Sequence, residues 1–212
     1  MIYEFLESES ALRQGDIFRN IPFAELSLSQ IPIMDGDEPG ITTWDDLVAA
    51  GESRPITALI AIQPVYAMVL TQDCDAARGR HICLAQVDQF LDVRGIRNAA
   101  PQTPKKWQSL LTSHMRENLR YFYLPADSSF GFNERMAVDL RVIIRVPRND
   151  LMGLLHHRLG RLNQVAYEHF RENLAQFFRR YPYNEWYPLN KEEAEAYAEA
   201  SPESVDLYSW QK

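Results

Sequence analysis

The chain has 212 residues, 46% of them hydrophobic and 24% charged, with a net charge of −7. That length supports one domain with a sizeable core, or one domain with a smaller appendage. No apolar run approaches the ~20 residues of a membrane span, the acidic start at residues 1–7 lacks the basic flank of a signal peptide, and two cysteines do not make a disulfide scaffold; the expectation is a cytoplasmic protein with no membrane partner.

The charge is unevenly spread. Residues 1–60 carry −8, residues 61–136 carry +2, residues 137–180 carry +4 and residues 181–212 carry −5. A basic middle between two acidic ends argues against indiscriminate coating of nucleic acid, where phosphate contacts dominate. A local basic face opposed by acidic segments stays open.

Taken in order, residues 1–14 read as a short arm. Partial alternation of Ile17, Ile21 and Phe23 predicts a first strand over 15–26, interrupted near Pro22. Residues 28–55 form a long loop, with one short helix at 44–50 opened by Thr43. A second strand is predicted at 56–63 and broken by Pro64. A third, at 66–73, turns at Ala76-Ala77-Arg78-Gly79 into a return strand at 81–88. Thr103 and Pro104 open an inserted helix over 104–118, with Trp107, Leu110, Leu111, Met115 and Leu119 on one face. Residues 121–125 and 136–146 read as strands. Leu151, Leu155, Leu159 and Leu162 carry helical spacing, weakened at Gly160. The clearest helix is 163–181, striped by Ala166, Phe170, Leu174 and Phe177 and stopped by Pro182. An acidic helix at about 190–200 begins the acidic tail 190–212.

Strands first and helices last predict an α+β fold. The strand set predicts a small antiparallel β-barrel over 1–147, with a helical C-terminal extension, 148–212, packed on it.

The stretch from Ala67 to Asp75 is the focal one. Four apolar residues run into Thr71-Gln72-Asp73-Cys74-Asp75, so a buried strand delivers polar groups at its end. With a hairpin turn at 77–78, Cys74 would face His81, and Cys74, His81, Cys83 and Asp75 would be candidate metal ligands. Paired Cys-x-x-Cys blocks are absent, so no metal and no cofactor are expected. A nucleophilic Cys74 needs nearby positive charge, which Arg78, Arg80 or His81 would have to supply against Asp73 and Asp75. The structural alternative is that the two aspartates bond the turn backbone. Arg141, Arg145 and Arg158 are candidate binding residues for a partner surface, for which the acidic tail competes; local ion pairing is the alternative.

Gly15-Asp16-Ile17 opening a strand, Met68-Val69-Leu70-Thr71 ending one, and the apolar return Ile82–Val87 resemble the MazF/PemK-type endoribonuclease toxins over about residues 14–88. The resemblance implies an SH3-like β-barrel, an RNA site shaped by the long loop, and Thr71 at the family's Ser/Thr position. Those toxins carry Arg-Pro before the focal strand, where this chain has Val65-Tyr66. The chain also resembles an uncharacterised bacterial family with a Thr/Ser-Gln-x-Cys-Asp strand end. The resulting expectation is a recognition or regulatory protein that binds a protein partner or RNA in a toxin–antitoxin or phage-defence setting, with homodimerisation open. Its alternative is an enzyme, a divergent endoribonuclease or a Cys74-dependent hydrolase using Thr71, Asp73, Cys74, Asp75 and His81, with Arg80 binding substrate.

Overall fold

A computed structural model describes residues 2–7, 9–35, 38–51 and 57–179. The expected helix at 190–200, the acidic tail and Tyr181 lie outside the described residues.

The architecture is α+β. Seven strands form one sheet: β1 (Tyr3–Glu4), β2 (Asp16–Phe23), β5 (Gln63–Val69), β6 (His81–Gln89), β7 (Tyr121–Leu124), β8 (Met136–Pro147) and β9 (Arg158–Leu162). The spatial order is β1-β9-β2-β5-β6-β8-β7, and every pairing among the described residues is antiparallel. The sheet is antiparallel as expected and open, with β1 and β7 as edges, and does not close into a barrel. The edges approach at one point, where the Tyr3 hydroxyl donates to the Pro125 carbonyl at 2.7 Å.

Alternation sorts the strand side chains into two cores. Ile17, Met68, Ala85, Val87 and Val138 face one side and pack with Phe130, Phe132 and Phe170. Phe18, Ala67, Val69, Ile82, Leu84 and Ile144 face the other and pack with Leu151. The central strands are therefore apolar on both faces, which is why residues 67–70 read as a continuous apolar run. A third cluster joins Phe90 of α3 (Phe90–Val93) to Tyr121 and to Trp107, Leu110 and Leu111 of α4 (Pro104–Glu117). Thr103 caps α4 by accepting from the Lys106 amide at 3.3 Å, as the sequence suggests.

Three expectations are revised. The long loop contains a two-stranded ribbon, β3 (Ile31–Asp35) and β4 (Glu38–Thr42), followed by α1 (Trp44–Ala49), capped by Thr43. No strand covers residues 57–62; β5 begins at Gln63 and runs through Pro64, which sits opposite Pro22 at the frayed end of the β2–β5 ladder. There each proline's missing donor costs little. Between β5 and β6 the connection is not a tight turn but the short helix α2 (Asp73–Arg78).

The leucine spacing at 151–162 does not mark one helix. It covers α5 (Arg148–Gly153), a 3-10 turn at Leu155–His157, and strand β9. Gly160 decides this. At φ +152° it lies where a Cβ would meet the Glu4 carbonyl oxygen at 2.3 Å and the Phe130 ring at 2.6 Å, so only glycine lets β1 and the Phe130 ring approach β9 so closely. Helix α6 (Gln164–Phe178) follows, its first turn closed by Asn163 Oδ1 accepting from the Ala166 amide at 2.9 Å. Phe170 is fully buried, Leu174 and Phe177 are half-buried against the same core, and Phe178 is exposed. The chain divides into units at Met1–Phe177 and Phe178–Lys212, and the architecture above belongs to the first.

Candidate functional site

The two stretches singled out in the sequence meet in space. β2 and β5 are antiparallel with Ile17 opposite Met68, so the residues entering β2 lie beside those leaving β5. Gly15, at φ +85°, turns the chain so that its amide donates to the Val69 carbonyl at 3.0 Å. The Gln14 side chain, itself buried, donates to the Leu70 carbonyl at 2.6 Å, and the Gln14 amide donates to Asp73 Oδ1 at 2.9 Å. Arg13 adds a two-nitrogen contact to Asp73 Oδ2, both distances 2.9 Å. Tyr167 of α6 completes the group, with its hydroxyl 3.4 Å from Asp73 Oδ2 and the Arg13 guanidinium 5.5 Å from its ring centroid. Burial pushes the Asp73 carboxyl up, but the Gln14 amide and Arg13 outweigh it, and the net direction is below the usual carboxylate value. Asp73 is thus the tie that fastens the arm to the end of β5.

Asp16 is a second tie. Its carboxylate accepts from Arg158 at 3.0 Å, from Arg161 at 2.8 Å and from the Arg13 amide at 3.2 Å. Burial pushes this carboxyl up, and the two guanidiniums pull against that. Arg158 and Arg161 reach one carboxylate despite their odd spacing. Register shifts between Ile17–Gly160 and Phe18–Arg158, which leaves Leu159 as an extra residue on β9. Arg158 then donates onward to the Ser10 carbonyl at 2.8 Å and Arg161 to the Ala11 carbonyl at 2.8 Å. Gly15-Asp16-Ile17 therefore has a structural explanation: a turn, a buried anion and a core side chain.

The candidate catalytic residues do not assemble. The Thr71 hydroxyl accepts from the Cys83 amide at 2.8 Å, extending the β5–β6 ladder by one side-chain bond. Cys74 is a free, exposed thiol, and among the described residues no hydrogen bond joins its sulfur to a base. Asp75 is exposed on α2. His81 lies beyond the six-residue helix rather than across a hairpin from Cys74, and its Nδ1 is 3.0 Å from an Arg145 nitrogen. Among the described residues no group of three His, Cys, Asp or Glu is arranged to hold a metal ion.

The arginines separate. Arg158 is inside the fold. Arg141 grips Asp139 through two nitrogens at 3.0 and 2.7 Å and donates to the Tyr121 hydroxyl at 2.7 Å. It sits on residues 140–142, which bulge out of β8 because Ala85 pairs with Ile143 while Gln86 pairs with Asp139. Arg145 pairs across from Cys83, on the side of the sheet that carries His81 and Ile143, and among the described residues it has no carboxylate within ion-pair distance. Arg78 and Arg80 are exposed in the chain leading into β6. His81, Ile143 and Arg145 share one exposed rim of the sheet, with Arg78 and Arg80 exposed in the chain that leads into it, and among these residues there is no nucleophile–base pair.

No protein-family model matches the chain, and no curated protein matches it.

Arg13, Gln14, Arg161 and Tyr167 escaped the sequence reading because their roles depend on which strand ends meet. Asp16, inside the Gly-Asp-Ile stretch, and Asp73, at the end of the focal strand, carried a visible signal.

Proposed function

We propose that this chain is a recognition protein, in which a curled sheet of SH3-like type presents a cationic rim to an acidic protein partner. The observation that carries the reading is Arg145. It stands exposed beside His81 with no carboxylate partner among the described residues, whereas Arg141 and Arg158 are consumed by Asp139 and Asp16. Ile143, 46% exposed on the same side of β8, makes the rim mixed apolar and cationic. Arginine next to apolar area suits a protein interface better than a phosphate backbone, which calls for a purely basic track. The ribbon and α1 also leave Ile41, Trp44 and Val48 exposed, consistent with a chain that meets another protein. The resemblance to toxin barrels supplies the setting, toxin–antitoxin or phage defence. A ribonuclease reading gains nothing from a threonine whose hydroxyl is spent on the Cys83 backbone.

The test compares wild type with an Ile143→Asp, Arg145→Glu double variant as bait in the native host. One acidic protein retained by wild type and lost by the variant supports the reading. Equal retention by both, or recovery of RNA alone, removes it.

A further inference from the structure

A cavity of about 630 Å³ lies between β7, α4 and α6. β7 is an edge strand, so no further strand fills the space beyond it. Aromatic and aliphatic side chains make most of the wall, among them Tyr121, Phe122, Tyr123, Ala166 and Val165. The volume falls within the roughly 300–1,000 Å³ of small-molecule sites.

Two polar groups in this wall have hydrogen-bonding capacity left open among the described residues. His114 of α4 is 1% exposed, set edge-on to Phe90 at 4.7 Å and stacked on Tyr121 at 5.9 Å. Among the described residues neither ring nitrogen makes a hydrogen bond of good geometry, the Tyr121 backbone being its one polar neighbour, and the buried Asn173 Oδ1 of α6 has no partner either. The nearby Tyr121 hydroxyl is already committed, donating to the Val93 carbonyl at 3.0 Å and accepting from Arg141. Buried polar side chains are almost always hydrogen-bonded, so the open capacity of Asn173 Oδ1 and of the His114 ring in one cavity wall calls for an occupant.

The chemistry of the wall selects that occupant. Burial and the charge of Arg94 hold His114 neutral, so it offers one donor and one acceptor and its surroundings oppose a cation. Asn173 Oδ1 accepts only, which opposes a carboxylate at that wall. Glu172 is exposed at the margin and already accepts from Gln176 at 2.7 Å. We propose that this cavity binds a small, uncharged, largely aromatic molecule that carries a hydrogen-bond donor. The aromatic walls would cover its ring faces, and its donor would satisfy Asn173 Oδ1 or the acceptor nitrogen of His114.

N-phenyl-1-naphthylamine is a suitable probe, being neutral, two-ringed and equipped with one N–H. Its fluorescence titration against the full chain should saturate at one molecule per chain. Val165→Trp should weaken binding roughly ten-fold or more, because Val165 lines the cavity yet is 65% exposed and tolerates a larger side chain. In the unmodified protein the His114 ring resonances should shift as the probe is added. Failure to saturate, equal affinity in Val165→Trp, or an unmoved His114 signal at saturation would each overturn the proposal and leave a cavity filled by water.

Discussion

Asp16 Oδ2 and Arg158 Nη1 are 3.0 Å apart, with side chains 0% and 3% exposed. A pair so far from water is costly to form but far more costly to break, because the surviving charge is left buried. Asp16→Ala strands two guanidiniums and should lower stability by about 3–5 kcal/mol, read from the denaturant midpoint. Arg13→Ala, which breaks a half-exposed pair, should cost about 1 kcal/mol or less. Equal effects from the two substitutions would show that Asp16 is no more than a surface partner.

Gly160→Ala tests the close approach of β1 to β9. The added methyl meets the Glu4 carbonyl and the Phe130 ring, and the backbone conformation suits only glycine. A loss of about 2–4 kcal/mol is expected from overpacking and backbone strain together. Amide exchange at residues 3–4 should accelerate with it. Wild-type protection at those amides in the variant would mean that β1 does not depend on this contact.

His114 makes stability depend on pH. Its folded value, lowered to about 4 by burial and then by Arg94, is below the ordinary 6.5. The unfolded chain therefore binds a proton that the folded chain refuses. This penalty is absent above pH 6.5, grows as pH falls toward 4 and is constant below that. At about 1.4 kcal/mol per pH unit the full effect is roughly 3 kcal/mol. His114→Phe should flatten the stability curve between pH 4 and 6.5. An unchanged curve would place the histidine in contact with water.

Asp73 acts in the same sense, at lower pH and through its carboxylate. Its folded carboxyl titrates below the usual value of 3.8, so its ties to Gln14 and Arg13 hold at neutral pH and are lost as pH falls through that lowered value. Asp73→Asn should be less stable than wild type at pH 7 and equal to it at the acid end, as followed by thermal unfolding. A gap that persists undiminished in acid would mean the carboxylate's charge is not what fastens the arm.

Period and caps made much of this fold legible in the sequence. Phe170 and Ala166 announced α6, Thr103 and Pro104 announced α4, and the apolar run at Ala67–Leu70 announced a buried strand. The failures share a cause. Leu151, Leu155, Leu159 and Leu162 satisfy helical spacing, yet Gly160 lies against the Glu4 backbone, a contact across more than 150 residues that no local window contains. The turn expected at Ala76–Gly79 became α2, because Asp73 is held by Gln14 and Arg13 rather than by its own turn. His114 passed as one more residue on an amphipathic helix, since only the packing of α4, β7 and α6 reveals that its nitrogens face a cavity.

The proposed recognition role is tested most directly at Thr71. Purified protein incubated with a long unstructured RNA should leave the RNA intact. Thr71→Ala should behave identically while losing about 1 kcal/mol from the missing bond to the Cys83 amide. Rapid cleavage by wild type, abolished in a folded Thr71→Ala variant, would contradict the account and make the chain a ribonuclease.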